Sequence, residues 1–159
     1  MKMSSMSTQA EEIAEQQRWM AVLAKAEAGE LEALWPKAVA HGPAYRRLRG
    51  PEIGLAMVRG RVGGTGNPFN LGEMTVTRCA VQLADGTIGH AYVGGRRPRQ
   101  AELAAVADAL LQDAARGPEL LQQLIAPLAA AAAERHRAAA EKAAATKVEF
   151  FTVAREAGR

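Results

Sequence analysis

The chain has 159 residues, 48% of them hydrophobic but only 4% aromatic, and sets 20 Lys and Arg against 17 Asp and Glu for a formal charge of +3. That length suits one domain of about 100–150 residues with a real core, and seven aromatics leave little material for the base-stacking platforms of nucleic-acid binders. The single Cys79 excludes an intrachain disulfide and a cysteine-based zinc site, and without an apolar leader or a run of 18 apolar residues neither a signal peptide nor a membrane span is expected, so the chain reads as cytoplasmic.

In chain order, residues 1–7 read as a disordered polar leader. Thr8 then caps a helix running to about Ala28, with Ile13, Met20, Leu23 and Ala24 along one side and Gly29 as its stop. Leu31, Leu34 and Trp35 form a short second helix limited by Pro36, and two Gly-Pro pairs make residues 40–52 a connecting loop. From Ile53 to Gly95, which holds ten of the fifteen glycines, helical spacing gives way to β-type runs. Strands are predicted over 53–62, 74–83 and 88–94, forming a small antiparallel sheet. Asp85-Gly86 suits a two-residue type I′ hairpin turn. That turn pairs Leu83 with Ile88, Val81 with His90 and Cys79 with Tyr92 on one side, and Gln82 with Gly89, Ala80 with Ala91 and Arg78 with Val93 on the other. Both sides are apolar or small, so each face should be covered, one by the chain's own helices and the other by a partner.

After Pro98, Leu103, Val106, Ala107, Leu110, Leu111 and Ala114 follow a single amphipathic stripe that Gly117-Pro118 should end. A further helix starts near Leu120, is kinked or interrupted at Pro127 and continues as an Ala-rich rod over 129–145. The end turns apolar at Phe150, Phe151 and Val153, unusual for a free terminus, and residues 147–154 read as a candidate strand that docks on this chain or another. The whole is expected to be one α+β domain over 1–159, a small antiparallel sheet packed with N-terminal and C-terminal helices.

GGTGNPF, residues 63–69, suggests a phosphate loop but fails both templates. A Walker loop needs Gly-Lys-Ser/Thr where Gly66 is followed by Asn67-Pro68, and a dinucleotide fingerprint needs a third glycine and a following helix where Phe69 and a strand stand. An anion-binding nest of backbone amides remains conceivable, but a structural connection between two strands is the favoured reading. Arg59, Arg61 and Arg78 are the candidate anion site; an ion pair with Glu73 or with a neighbouring subunit is the preferred alternative. His90, His41 and His136 lack triad or metal partners at suitable spacing, and Cys79 reads as a buried small hydrophobe. No catalytic set emerges.

The succession RWM (18–20), EIGLAMVRGRVGGTGNPFNLGEMTVTRCAVQL (52–83), DGTIGHAYVGGR (85–96), LIAPL (124–128) and KVEFFTVAR (147–155) resembles the PhnG family, core subunits of the bacterial carbon–phosphorus lyase complex. The resemblance implies an accessory, structural subunit acting with PhnI, PhnH and PhnL in the ATP-dependent displacement of adenine by methylphosphonate. The product would be ribose 1-methylphosphonate 5-triphosphate. It also implies a paired hetero-oligomeric core with PhnI-, PhnH- and PhnJ-type subunits, with ATP and Mg as substrate of the complex and no cofactor held by this chain alone. It carries over no catalytic residue. Phe150, Phe151, Val153, Phe69 and Arg96 are the candidate partner contacts. The competing reading is an independent small-anion or nucleotide-binding enzyme built on the Gly63–Gly66 loop and nearby arginines. The polar N-terminal extension, the RRPR run at 96–99 and the length of the Ala-rich rod depart from the family pattern and bear on peripheral contacts only.

Overall fold

Two helices, a three-stranded antiparallel sheet of order β1-β2-β3 and a second run of helices follow one another along the chain, an α+β arrangement. A computed structural model describes residues 3–39 and 41–146. The elements are α1 (Met3–Lys25), α2 (Ala28–Ala38), β1 (Tyr45–Arg61), β2 (Pro68–Leu83), β3 (Ile88–Gly94), α3 (Pro98–Leu111), α4 (Gly117–Leu120) and α5 (Ala126–Ala145). Among the described residues no helix is long and apolar enough to cross a membrane.

The core forms where strand alternation meets a helix of small side chains. Thr77, Cys79, Val81 and Leu83 of β2 and Gly89, Ala91 and Val93 of β3 are buried on one face, here the inner face, against α3. Twelve of the fourteen residues of α3 are buried. The expected single stripe is therefore too narrow a description. Ala101, Ala104, Ala105, Ala107 and Ala109 let α3 sit between the sheet and the remaining helices, buried on every side. At Gly89 the approach is so close that a Cβ would lie 2.0 Å from the Ala105 carbonyl oxygen and 2.6 Å from the Ala109 amide nitrogen. Trp19 and Leu23 of α1, Leu31 of α2, and Leu124 and Leu128 complete the core; each fully buried leucine contributes about 1.5–3 kcal/mol.

Several boundaries differ from expectation. α1 begins at Met3, five residues before Thr8, so residues 3–7 belong to a helix. α2 runs from Ala28 through Pro36 to Ala38; Gly29 lies in its first turn, and the chain breaks at Ala26-Glu27 instead. Pro36 falls in the last turn, where losing one backbone donor ends a helix soon after it. Gly117-Pro118 opens α4 and does not close α3, its proline standing where the first turn needs no donor. Pro127 stands in the first turn of α5, which begins at Ala126 directly after a π-helical turn over Leu121–Ile125. The rod from Arg137 to Thr146 is exposed throughout.

β1 starts at Tyr45, eight residues before the predicted Ile53, because the Gly50-Pro51 pair is absorbed by register shifts between Arg47 and Glu52 on an edge strand. β2 starts at Pro68, six residues early. The β2–β3 register is also one residue off the predicted one: Gln82 pairs with Ile88, Ala80 with His90, Cys79 with Ala91 and Arg78 with Tyr92. A type I′ turn needs φ > 0 at both central residues, and no non-glycine residue among the described ones has it. Instead the Gly86 amide donates to the Leu83 carbonyl at 3.0 Å, Gly86 takes φ +93, and Asp85 Oδ1 accepts the Thr87 amide at 2.9 Å. This is a three-residue hairpin with a glycine bulge, and the extra residue shifts every pair. His90 and Tyr92 consequently join Arg78 and Ala80 on the outer face, which no described element covers.

β3 pairs with β2 only from Val76 to Gln82, whereas β1 and β2 continue together from Gly54–Val76 to Arg61–Pro68. This outer half of the hairpin is a two-stranded arm. No residue of it from Ile53 to Met74 is buried.

Candidate functional site

The arm is built by alternation and closed by glycines. Leu55 and Met57 lie on the inner-face side, opposite Thr75 and Glu73; Ala56, Val58 and Gly60 lie on the outer side, with Met74, Gly72 and Phe69. Leu71 occupies the register shift between the Val58 and Arg59 pairs. At the tip, Val62–Gly64 form one tight turn in which Gly63 (φ +60) and Gly64 (φ +80) are left-handed, a region costly for other residues. The Gly66 amide donates to the Val62 carbonyl at 3.0 Å, and Arg61 Nη1 donates to the Gly66 carbonyl at 3.0 Å. The Gly-rich stretch thus spends both groups on closing its own turn between two strands.

Arg59 and Arg61 line a shallow hollow at the tip with Gly60, Gly64 and Pro68, and neither has a carboxylate within salt-bridge distance among the described residues. Arg78 is elsewhere. It pairs across the strands with Glu52 (Nη2 to Oε2 3.1 Å), not with Glu73. The register sets Glu52 seven residues from Arg59, about 23 Å along the strand. The three arginines therefore form no common anion clamp. Phe69 is exposed on the arm, and Arg96 is exposed in the loop after β3. Phe150, Phe151, Val153 and the candidate strand 147–154 lie outside the described residues.

Cys79 is buried and donates through Sγ to the Arg49 carbonyl at 3.4 Å; burial pushes its thiol up, away from the thiolate a nucleophile needs. His90 faces outward with Tyr92, both bordering a small cavity of about 200 Å³ under Met20, Ala24 and Ala104. Among the described residues no three His, Cys, Asp or Glu side chains stand together as a metal site.

Sequence reasoning passed over the polar residues that hold the body together. Asp108, fully buried in α3, accepts from Trp19 Nε1 (2.8 Å), Gln16 Nε2 (3.1 Å) and the His90 amide (2.9 Å), tying α1 and β3 to one carboxylate. Gln100 Nε2 donates to the Leu23 and Ala26 carbonyls at 3.2 and 2.8 Å, capping the end of α1 from the side. Glu102 accepts from Arg47 Nε (2.7 Å) and Tyr45 OH (2.9 Å), fastening β1 to α3. The Arg47 hydrogen bond holds the Glu102 carboxyl below its ordinary range against the opposing effect of burial, while burial, with the Glu102 hydrogen bond next, pushes the Tyr45 phenol up. A lone Asp inside LAAVADALL was the legible signal, since a buried acid in an apolar helix must find donors. These groups are mutually satisfied and turned inward. They suit a scaffold, and the exposed apolar arm with its cationic tip is the feature left for contact.

A family model described as phosphonate metabolism protein PhnG matches residues 14–156 of the chain. A curated relative from Rhizobium meliloti (strain 1021), the alpha-D-ribose 1-methylphosphonate 5-triphosphate synthase subunit PhnG, is 44% identical over 143 residues, 90% of this chain and 90% of the relative.

Proposed function

The chain belongs to the PhnG family of phosphonate metabolism proteins, and from that premise we propose that it is an accessory, structural subunit of a cytoplasmic ribose 1-methylphosphonate 5-triphosphate synthase. The complex would displace adenine from ATP, held as its magnesium complex, with methylphosphonate, forming the C1–O bond to the phosphonate as the glycosidic C1–N bond breaks. Catalysis would reside mainly in a PhnI-type subunit, with PhnH-, PhnJ- and PhnL-type partners. One observation carries the reading: among the described residues the buried Asp108, Glu102 and Gln100 are consumed in holding the chain's own fold, while the apolar side chains of the arm stand bare.

Co-expression with the other subunits of the synthase tests it. The chain should co-purify with a PhnI-type partner; adenine release from ATP and methylphosphonate should need the assembly and be absent from the isolated chain. An isolated chain that turns over, or that binds ATP or methylphosphonate at micromolar concentration in a calorimeter, would instead favour a free-standing anion-binding enzyme.

A further inference from the structure

We propose that the arm, Ile53 to Met74, inserts into a groove of a different subunit of the synthase, a groove with apolar walls on both sides and carboxylates at its closed end. The inference rests on the subunit role proposed above and adds the surface that performs it.

A two-stranded ribbon is marginally stable in water by itself, and this one is unusually greasy. Leu55, Met57, Leu71 and Val62 are 65, 55, 65 and 71% exposed, and soluble monomers seldom leave so many large apolar side chains contiguous and bare. The register distributes them over both faces, with Leu55 and Met57 on one and Met74 and Phe69 on the other. A flat surface would cover only one face; a groove covers both. At the tip, Arg59 and Arg61 bring two guanidiniums with no carboxylate partner among the described residues. Seated in a desolvated groove they require acids opposite them, because an unpaired buried charge is strongly unfavourable.

A second copy of this chain does not fit that description. The cavity between α1 and the α3–α4 turn, about 550 Å³, is of a size suited to a drug-like molecule and not to a ribbon of some twenty residues. Two arms laid tip to tip would also oppose four arginines, like charges that disfavour such pairing. The occupant is a heterologous subunit.

The full chain, co-expressed with the other synthase subunits, tests this through two variants: L55D/M57D on the ribbon and R59E/R61E at the tip. Each should reduce partner retention at least about thirtyfold, the scale of losing a hot-spot contact, while the melting temperature of the isolated chain stays within about a degree of wild type for L55D/M57D and within about 3 °C for R59E/R61E, which also loses the Arg61–Gly66 turn contact. Amides of residues 53–74 should become protected from hydrogen exchange on assembly. If the wild type co-purifies and L55D/M57D does so undiminished, the arm is not the docking element and the subunit reading stands. If R59E/R61E alone is undiminished, the acidic end of the groove is wrong. A wild-type chain that associates with no subunit overturns both readings. An isolated-chain dimer in sedimentation that L55D/M57D abolishes makes the occupant a second copy and overturns this proposal.

Discussion

The base and the arm of the β1–β2 hairpin are made by the same two strands under the same alternation, and they differ only in what lies against them. At the base, Thr77, Cys79, Val81 and Leu83 project onto α3 and are buried. Further along the same ladder, Leu55 and Met57 project from the same side into solvent. The base is held by hydrogen-bonded acids and a close helix–strand contact; the arm is held by its ladder and its turn. Alternation therefore marks the positions capable of burial, and the elements at hand decide which of them are buried by this chain. The difference can be broken at either end.

The largest effect is expected at Asp108. Asp108→Ala leaves the Trp19 and Gln16 donors and the His90 amide without their acceptor inside the body, and orphaned buried donors plus a cavity should destabilise the isolated chain by about 4 kcal/mol. Thermal unfolding followed by circular dichroism should show the midpoint falling by about 10 °C. A fall of only a degree or two would mean that this carboxylate does not hold α1 and β3 to α3.

Next come paired glycines, one in each region. Gly89→Ala puts a methyl where the Ala105 carbonyl and the Ala109 backbone already stand, so β3 must move off α3 at a cost of about 3 kcal/mol. Gly72→Ala on the arm meets nothing within 4 Å and should be neutral or slightly stabilising, within about 0.5 kcal/mol. Equal losses from the two substitutions in urea unfolding would abolish the distinction between a packed base and a bare arm.

How much of this was legible in the sequence follows the same line. The strand over Ile88–Gly94, the α+β class and a glycine-rich connection between two strands come from local chemistry that needs no partner. The hairpin register was lost by one residue because Asp-Gly serves both a type I′ turn and a type I turn with a glycine bulge, and only the sign of φ at Asp85 separates them. The early starts of β1 and β2 were missed because Gly50-Pro51 and Pro68 read as breakers, whereas an edge strand with bulges tolerates them. Arg59, Arg61 and Arg78 looked like one site because they flank one loop in sequence; the long hairpin carries Arg78 about 23 Å back along the strand. Asp108 stood in plain view but alone, its donors some 90 residues earlier or on a backbone amide.

A smaller effect separates the two regions by pH. Glu102, fastened by Arg47 and Tyr45 at the base, has its carboxyl lowered in the folded chain, so its contribution to stability is present above the unfolded value of about 4.3 and is lost as pH falls below it through the folded value. Glu102→Gln should cost about 1 kcal/mol at pH 7, because Arg47 is half exposed and water screens much of the pair, and progressively less as pH falls below about 4.3. A cost as large at pH 3 as at pH 7 would assign the loss to packing.

The smallest effect belongs to the arm. Leu55 lies beyond the reach of β3, and a leucine 65% exposed has little transfer energy left to lose. Leu55→Ala should therefore change the unfolding free energy of the isolated chain by less than about 0.5 kcal/mol, although the same substitution at Leu23 or Leu124, both buried in the body, would cost about 2–5 kcal/mol. The unfolding slope in urea should also be nearly unchanged, because most of the Leu55 side chain is already exposed before unfolding. If Leu55→Ala destabilised the lone chain by more than 1 kcal/mol, the arm would have to fold back onto the body in solution, and its apolar faces would already be covered before any partner arrives.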